Sequence, residues 1–145
     1  MKHYMALDWG TKKIGVALAD TETRIAFAHS ILGNNAHIYA VVNDLVLSYD
    51  VTKIIIGVPL HTTFKENRKS IEVFGKTLAI KTGRDVLYVN EVFTSKMAQK
   101  SLTDSDQKRI YVDKRGMKRR KVVEDDAESA RILLQDYLDH KIKGL

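Results

Sequence analysis

The sequence contains no cysteine among its 145 residues and only one proline. Without cysteine it can form neither disulfides nor thiolate metal sites, and a reducing cytoplasm is the expected location. No apolar run approaches the roughly 18 residues of a transmembrane helix, so we expect no membrane partner. The opening residues MKHYMALDWG lack the apolar core and cleavage site of a signal peptide.

Charge is distributed unevenly along the chain. The net charge is +6, and residues 108–121, KRIYVDKRGMKRRK, carry eight Lys or Arg and one Asp. The rest of the chain therefore sums to about −1. We expect one domain over 1–145 with a basic, flexible segment at about 103–122. Such a segment suits a polyphosphate partner, or it is only a solvated loop.

Hydrophobic periodicity predicts an α/β fold. Apolar runs rich in β-branched or small residues predict strands at 4–8, 13–20, 24–32, 53–59 and 85–89. Apolar spacing typical of helices follows at 36–50, 64–83 and 124–140, with a loop and short helix in 90–102. Three hairpin-linked strands followed by alternating strands and helices imply a mixed sheet flanked by helices. The small residues alternating in 13–20 indicate that other backbone approaches one face closely.

Two acidic residues stand at the ends of predicted strands. Asp8 ends the first strand, and Glu91 directly follows the strand VLYVN. Binding sites in open α/β sheets collect at the carboxyl ends of parallel strands. Both carboxylates therefore lie where chemistry is expected, although Asp8 could simply be a turn residue.

A third acidic residue faces the predicted core. At about 100° per residue, Asp126 falls within the same helical arc as the apolar Ala130, Leu133, Leu134 and Tyr137. Asp125 falls outside this arc. An inward carboxylate is costly unless a cation or a donor meets it. The alternative is that Asp125 or Asp126 caps the helix and complements its dipole.

Several carboxylates at one sheet edge suit a hard divalent cation. Mg²⁺ or Mn²⁺ takes oxygen ligands and keeps positions open for water and phosphate. Two such ions activate water and stabilise the leaving oxygen of a phosphodiester. Together with the basic segment, which would hold a polyanion, this combination favours a nuclease.

Other chemistries have weaker support in the sequence. The five histidines show no paired spacing, so each is expected to be a surface or core residue rather than a zinc ligand. No GxxxxGK[ST] loop is present. The stretch NRKS at 67–70 starts near a predicted helix N-terminus and could meet a phosphate, but ordinary surface residues are the favoured interpretation.

Four stretches resemble the motifs of one family in their order. LDWGTKKIGVALAD, IIIGVPL, NEVFTS and DDAESARILLQDYL follow one another as in the YqgF-type pre-16S rRNA nucleases, also described as Holliday-junction-resolvase-like proteins of the ribonuclease H-like superfamily. The resemblance covers residues 4 to about 138. It implies a five-stranded mixed sheet with the first three strands antiparallel, and an acidic catalytic set with divalent metal: Asp8, Glu91 and Asp126, with Asp125 in reserve.

The chain departs from the family pattern in a few positions. Asn90-Glu91-Val92 stands where the family usually has Asp-Glu-Arg, so a charge and a phosphate-binding guanidinium are missing. Ser129-Ala130 replaces a pair of alanines. Lys12 and Lys13 match the family's basic pair after the first glycine and could contact backbone phosphate, or remain solvated turn residues.

The favoured hypothesis is a metal-dependent endonuclease for structured nucleic acid, acting in 5′-end processing of pre-16S rRNA, with ribosomal particles as further partners. Cleavage of a Holliday junction, which requires a homodimer rather than a monomer, is the alternative within this class. A non-catalytic nucleic-acid-binding module is a second alternative. An actin-like kinase or ATPase also begins with strand-Asp-x-Gly-Thr, but needs two such domains. The expected nucleic-acid-binding residues are Lys12, Lys13, Lys114, Arg115, Lys118, Arg119, Arg120 and Lys121.

Overall fold

A computed structural model describes residues 1–59, 65–91, 122–142 and 144, with side chains for 1–58, 67–90, 127–142 and 144. The elements follow the predicted order: β1 (His3–Asp8), β2 (Lys13–Asp20), β3 (Ala26–Gly33), α1 (Ile38–Ser48), β4 (Val51–Pro59), α2 (Lys65–Thr82), β5 (Asp85–Glu91) and α3 (Val122–Leu138). The helix predicted within 90–102 and the basic segment lie outside the described residues.

The strands form one five-stranded mixed sheet in the order β3-β2-β1-β4-β5. β1 pairs antiparallel with β2, and β2 pairs antiparallel with β3. β1 pairs parallel with β4, and β4 pairs parallel with β5. The predicted α/β architecture, including the antiparallel arrangement of the first three strands, is therefore confirmed.

Strand β4 is the centre of the parallel half of the sheet. Ile54, Ile55 and Ile56 are each fully buried although successive side chains of a strand point to opposite faces. Burial on both faces explains the continuous β-branched run, which is typical of a parallel strand covered by helices on both sides. Pro59 ends the strand, as predicted.

The helices cover the two faces of the sheet unequally. Helices α1 and α2 pack on one face, where Met5, Leu7 and Ile56 belong to their hydrophobic cluster. Of the described helices, only α3 packs on the other face. None of the described helices is long and apolar enough to cross a bilayer. The sheet is thus the middle of three layers, and its strand ends are the places open to a ligand.

Small side chains let α3 lie close to the sheet. The cluster beneath α3 contains Ala6, Ala17, Ala19 and Ala26, together with Ala130 of the helix itself. Bulkier residues in either element would push the helix away from the strands. The close approach of other backbone that was predicted from the alanines of β2 is confirmed.

Hydrogen bonds to the β2–β3 turn fix the direction of α3. Arg24 Nη2 donates to the carbonyl oxygen of Leu138 at 2.7 Å. The amide N–H of Ala26 donates to Gln135 Oε1 at 2.8 Å, and Gln135 Nε2 donates to the carbonyl of Arg24 at 3.0 Å. The predicted start of β3 at residue 24 is wrong by two residues because Arg24, with φ of 57°, belongs to this turn.

Both outer strands of the sheet are interrupted. Val16 and Ala17 are consecutive in β2 but pair with Ser30 and Ala28, so His29 is an extra residue that makes a bulge in β3. On the other side, Val89 of β5 forms an antiparallel bridge with Gly144. A Cβ on Gly144 would lie 2.7 Å from Leu87 Cδ1, so a larger residue there would displace the Leu87 side chain.

The contact between α3 and the sheet predicts a strong effect of enlarging one alanine. Ala17→Leu should lower the free energy of unfolding by about 1–3 kcal/mol, because added methylenes in a packed core force backbone shifts. Its direct cross-strand neighbour Ala28 is exposed, and Ala28→Leu is the matched control, expected within about 0.5 kcal/mol of wild type. Urea denaturation measures both, and equal losses of stability would contradict this account of the packing.

Candidate metal and nucleic-acid site

One edge of the sheet gathers the carboxyl ends of four strands and the N-termini of three helices. Strands β1, β3, β4 and β5 are mutually parallel and end on this edge. Helices α1 and α2 end just before the starts of β4 and β5, and α3 ends at the β2–β3 turn, so all three begin at the carboxyl edge. Their macrodipoles make this edge favourable for anions.

Asp8 is the last residue of β1 and lies on this edge. Tyr4 and Ala6 belong to the cluster under α3, whereas Met5 and Leu7 belong to the cluster under α1 and α2. Strand alternation therefore assigns Asp8 to the α3 side of the sheet. The residue is half-buried and pairs through its backbone with Gly15 of β2.

Glu91 is the last residue of β5, whereas the sequence analysis placed it just beyond the strand. It pairs with Pro59, while Leu7 pairs with Ile56 of the intervening strand β4. The backbone of Asp8 is thus two strands, or roughly 10 Å, away from β5 across the sheet. The backbone of Glu91 lies about 7 Å beyond the level of Asp8 along the strand direction. The backbones of both residues belong to the same edge, and the side chain of Glu91 lies outside the described residues.

Asp126 is in the first part of α3, one helical turn before Ala130. Ala130 and Leu134 are fully buried and Leu133 is 2% exposed, as predicted, but Ile132 and Asp136 on the side of Asp125 are buried too, so the buried side of the helix is wider than the predicted arc. The backbone of Asp126 therefore continues the sheet-facing side towards the carboxyl edge. The side chains of Asp125 and Asp126 are outside the described part of the chain.

Glu128 is engaged elsewhere on α3. Arg131 Nε donates to Glu128 Oε1 at 2.8 Å, and Arg131 Nη2 forms a salt bridge with the same oxygen. The hydrogen bond to Glu128 raises the pKa of Arg131.

A tight turn links Asp8 to β2 and is tied to the end of β3. Asn34 Nδ2 donates to the carbonyl oxygen of Gly10 at 2.8 Å, and the amide N–H of Asn34 donates to the carbonyl of Lys12 at 2.9 Å. A Cβ on Gly10 would lie 2.6 Å from the carbonyl oxygen of Lys13, so the turn requires glycine. Lys12 and Lys13 are exposed in this turn, beside the strand end that carries Asp8.

Sequence reasoning missed the role of Asn34. The stretch GNN at 33–35 was interpreted only as a break before α1. Its amide nevertheless holds the turn that follows Asp8, and nothing in the sequence pattern links two residues 24 positions apart. The one available signal was a polar residue with two donors next to a glycine.

Two of the described histidines, His3 and His29, make structural contacts through their rings. His3 Nδ1 lies 2.7 Å from the carbonyl oxygen of Tyr49, and His29 Nε2 shares a 3.0 Å hydrogen bond with the Tyr49 hydroxyl. Tyr49 thus links the first strand, the end of α1 and the bulge of β3. His61 lies outside the described residues.

Metal ligands can be sought only among the described side chains. Within them, His, Asp and Glu form no group of three able to hold a metal ion, but this set includes Asp8 and excludes both Glu91 and Asp126. The three expected ligands are all carboxylates, which is the oxygen donor set that Mg²⁺ and Mn²⁺ prefer. The residue types at this edge therefore fit a divalent metal, and the six basic residues expected at 114–121 lie outside the described ranges.

Two solved structures share the fold over nearly the whole chain. RuvC of T. thermophilus in complex with a Holliday junction substrate aligns with a TM-score of 0.59 at 13% identity, covering 100% of both chains. Fowlpox virus resolvase in complex with Holliday junction DNA aligns with a TM-score of 0.57 at 17% identity, covering 97% of this chain and 99% of the resolvase. The fold is ribonuclease H-like, as the resemblance implied.

Curated relatives and a family model match the sequence itself. A "Putative pre-16S rRNA nuclease" of Sulfurihydrogenibium sp. (strain YO3AOP1) is 32% identical over 143 residues, 96% of this chain and 91% of the relative. The protein of the same name in Burkholderia ambifaria (strain MC40-6) is 32% identical over 139 residues, 93% of this chain and 87% of the relative. Because the model of the RuvX family, described as Holliday junction resolvase, matches residues 2–140, the chain belongs to that family.

Proposed function

We propose that this chain is a divalent-metal-dependent endonuclease that hydrolyses phosphodiester bonds in structured nucleic acid, with Asp8, Glu91 and Asp126 as metal ligands. The observation that carries the proposal is the shared carboxyl edge. The parallel register of β1, β4 and β5 brings the backbones of Asp8 and Glu91 to that edge, and α3, whose first turns include Asp126, begins there. Three acidic residues from distant parts of the sequence thus belong to one region.

The chain's own residues have distinct tasks in this proposal. The carboxylates of Asp8, Glu91 and Asp126 hold the metal, and the fixed turn after Asp8 keeps the first of them in position. The bound Mg²⁺ or Mn²⁺ supplies water activation and stabilisation of the leaving oxygen. The N-termini of α1, α2 and α3 and the exposed Lys12 and Lys13 attract the phosphate backbone to an edge that the carboxylates alone would repel.

Precursor 16S rRNA is the substrate we favour. The curated relatives that are 32% identical over more than nine-tenths of the chain carry the name of a pre-16S rRNA nuclease. Cleavage at its 5′ end, in ribosome biogenesis, requires only one copy of the site. The alternative substrate is a Holliday junction, which the family description and the DNA-bound structural neighbours support. Symmetric cleavage of a junction would require a homodimer.

A binding module without catalysis is the second alternative. Asn90 stands beside Glu91 where the family pattern has an acid, and Val92 replaces an arginine. Asn90 Oδ1 is buried without a hydrogen-bond partner in the part of the chain that is described. A neutral amide oxygen in this position can still accept a hydrogen bond but brings less negative charge to the edge.

Removing the charge of Asp8 should abolish cleavage. Asp8→Asn is expected to lower the rate on labelled precursor 16S rRNA with Mn²⁺ by at least about 100-fold, since metal stabilisation is worth several kcal/mol. Binding of the RNA should remain. Asp85 is an exposed aspartate at the opposite end of β5, and Asp85→Asn is the matched control with unchanged cleavage.

Offering a four-way DNA junction in the same assay distinguishes the alternatives. Faster cleavage of the junction than of the RNA would make the Holliday junction, and not precursor 16S rRNA, the favoured substrate. Metal-independent binding of both without any cleavage by the wild type would favour the binding module.

The helical arc predicts which of two neighbouring aspartates binds metal. Asp126→Asn should weaken Mn²⁺ affinity by about tenfold or more, because a charged ligand on the sheet-facing side is removed. Asp125→Asn, one residue away and outside the arc, should leave the affinity near the wild-type value. Isothermal titration with Mn²⁺ measures both, and the reverse result would shift the ligand by one residue.

The basic segment should determine the salt dependence of binding. We propose that Lys114, Arg115, Lys118, Arg119, Arg120 and Lys121 contact backbone phosphates. Neutralising the last four with glutamine should flatten the slope of log affinity against log salt by roughly 0.7 to 0.9 for each phosphate that is no longer neutralised by the protein.

The control for this change is Lys76→Gln, which removes one exposed charge from α2. Fluorescence anisotropy of a labelled RNA at several salt concentrations gives the slopes. A slope that stays the same after the fourfold neutralisation would mean that the segment is only solvated.

A further inference from the structure

An open groove of about 450 Å³ lies beside the end of β1, on the face that α1 and α2 cover. We call it the Trp9 groove, and its walls come from the turn after β1, the end of β3, the first turn of α1 and the second and third turns of α2. The residues that line it and bear on its binding properties are Trp9, Asn34, Tyr39, Lys69, Val73 and Phe74. The groove therefore opens at the same edge of the sheet as the proposed metal site.

The walls of the Trp9 groove combine flat apolar surfaces with a cation. Tyr39 stacks on Phe74 with ring centroids 5.4 Å apart and an interplanar angle of 28°. Trp9 is half-buried against the same hydrophobic cluster, and Val73 leaves 58% of its surface exposed. Lys69 is exposed at the rim, one helical turn into α2. Such walls favour an occupant that is planar and apolar on its faces and attached to a negative charge.

Trp9 and Asp8 are consecutive but serve opposite sides of the sheet. Asp8 lies on the α3 side, whereas Trp9 packs into the cluster of the α1 and α2 side. Their α-carbons are about 3.8 Å apart across one peptide bond. A nucleotide has the same separation of functions, because a flat base and a charged phosphodiester are joined through one sugar. The Asp8 side of this sheet edge thus suits the phosphodiester of a nucleotide, and the Trp9 side suits its base.

The turn that carries Trp9 is held in place independently of any ligand. Asn34 forms one wall of the groove and at the same time donates to the Gly10 carbonyl at 2.8 Å. The wall and the strand end that carries Asp8 are therefore joined through one side chain. Occupation of the groove would fix the position of a nucleotide relative to Asp8 without further rearrangement of the turn.

We propose that the Trp9 groove receives an unpaired nucleobase of the substrate, next to the phosphodiester held at Asp8, and that Lys69 contacts the adjoining phosphate. This inference rests on the proposed function, because it takes nucleic acid as the substrate. It adds a requirement that the metal site does not have: the nucleotide beside the cleaved bond must be unstacked from its neighbours. Base stacking on aromatic side chains tolerates every base, so the groove selects single-stranded or branched structure rather than sequence.

Trp9 is the only tryptophan in the chain and reports on the groove directly. The full-length protein in EDTA is titrated with short oligouridylate, short oligothymidylate and an abasic sugar-phosphate oligomer of equal length. Stacking of a base on the indole should quench Trp9 emission with the two base-bearing oligomers and not with the abasic one. Anisotropy of labelled oligomers, measured in parallel, should give the base-bearing ones a roughly 5- to 150-fold lower Kd.

Variants separate stacking from folding. Trp9→Phe keeps an aromatic face and should bind the oligouridylate nearly as well as wild type, whereas Trp9→Ala should weaken binding by about fivefold or more. Lys69→Ala should weaken binding and lower the salt slope. Lys76→Ala removes the same charge from α2 about two turns further along, outside the groove, and should change neither. Thermal unfolding monitored by circular dichroism identifies any variant that fails to fold.

The results distinguish this inference from the proposed function. Equal affinity for base-bearing and abasic oligomers, or tight binding without any change in Trp9 emission, overturns the groove assignment and leaves the nuclease proposal intact. Absence of binding to every oligomer also overturns the groove assignment, whereas the nuclease proposal is decided separately by cleavage of the labelled precursor RNA with Mn²⁺. Base-dependent quenching in a protein that cleaves nothing supports the groove and removes the catalytic role.

Discussion

The parallel pairing of β1 with β4 is the constraint on which the arrangement of the site depends. Parallel neighbours need a crossover, so the chain must pass through β2, β3 and α1 before β4 can lie beside β1. This crossover returns the chain to the starting edge, and the next one, through α2, does the same for β5. As a result Asp8 and Glu91, far apart in sequence, end at the same edge. Helices α1 and α2 begin there for the same reason.

Those parts of the fold that depend on local pattern could be predicted. The β-branched run of β4 and the alternating apolar residues of β2 are patterns typical of strands rather than helices. The observed bounds of β2 agree with the predicted ones. Gly83 ends α2 with φ of 67°, as expected of a glycine cap. The burial of Ala130 and Leu133 in α3 could be predicted from the helical repeat alone.

Features that depend on contacts between distant residues could not be predicted. Asn34 joins the turn after Asp8 through a side-chain amide, and its neighbours in sequence suggest only a loop. Lys69 was expected to be an ordinary surface residue of α2, yet it lies at the rim of the Trp9 groove. The position of Trp9 in a groove could not be predicted, because a single aromatic residue after a strand forms no periodic pattern. The order β3-β2-β1-β4-β5 decides each of these contacts, and neither periodicity nor the resemblance to a family predicted that order.

The interruptions of the two outer strands bear on how the protein behaves when it is concentrated. An outer strand with a long flat row of free amides and carbonyls is a template for strand addition by another molecule. In the described part of the chain, the His29 bulge disturbs that row on β3, and the Gly144 bridge occupies part of it on β5. The two devices differ, one a change of register and the other a covering segment. Both lower the tendency of this sheet to grow into an intermolecular aggregate.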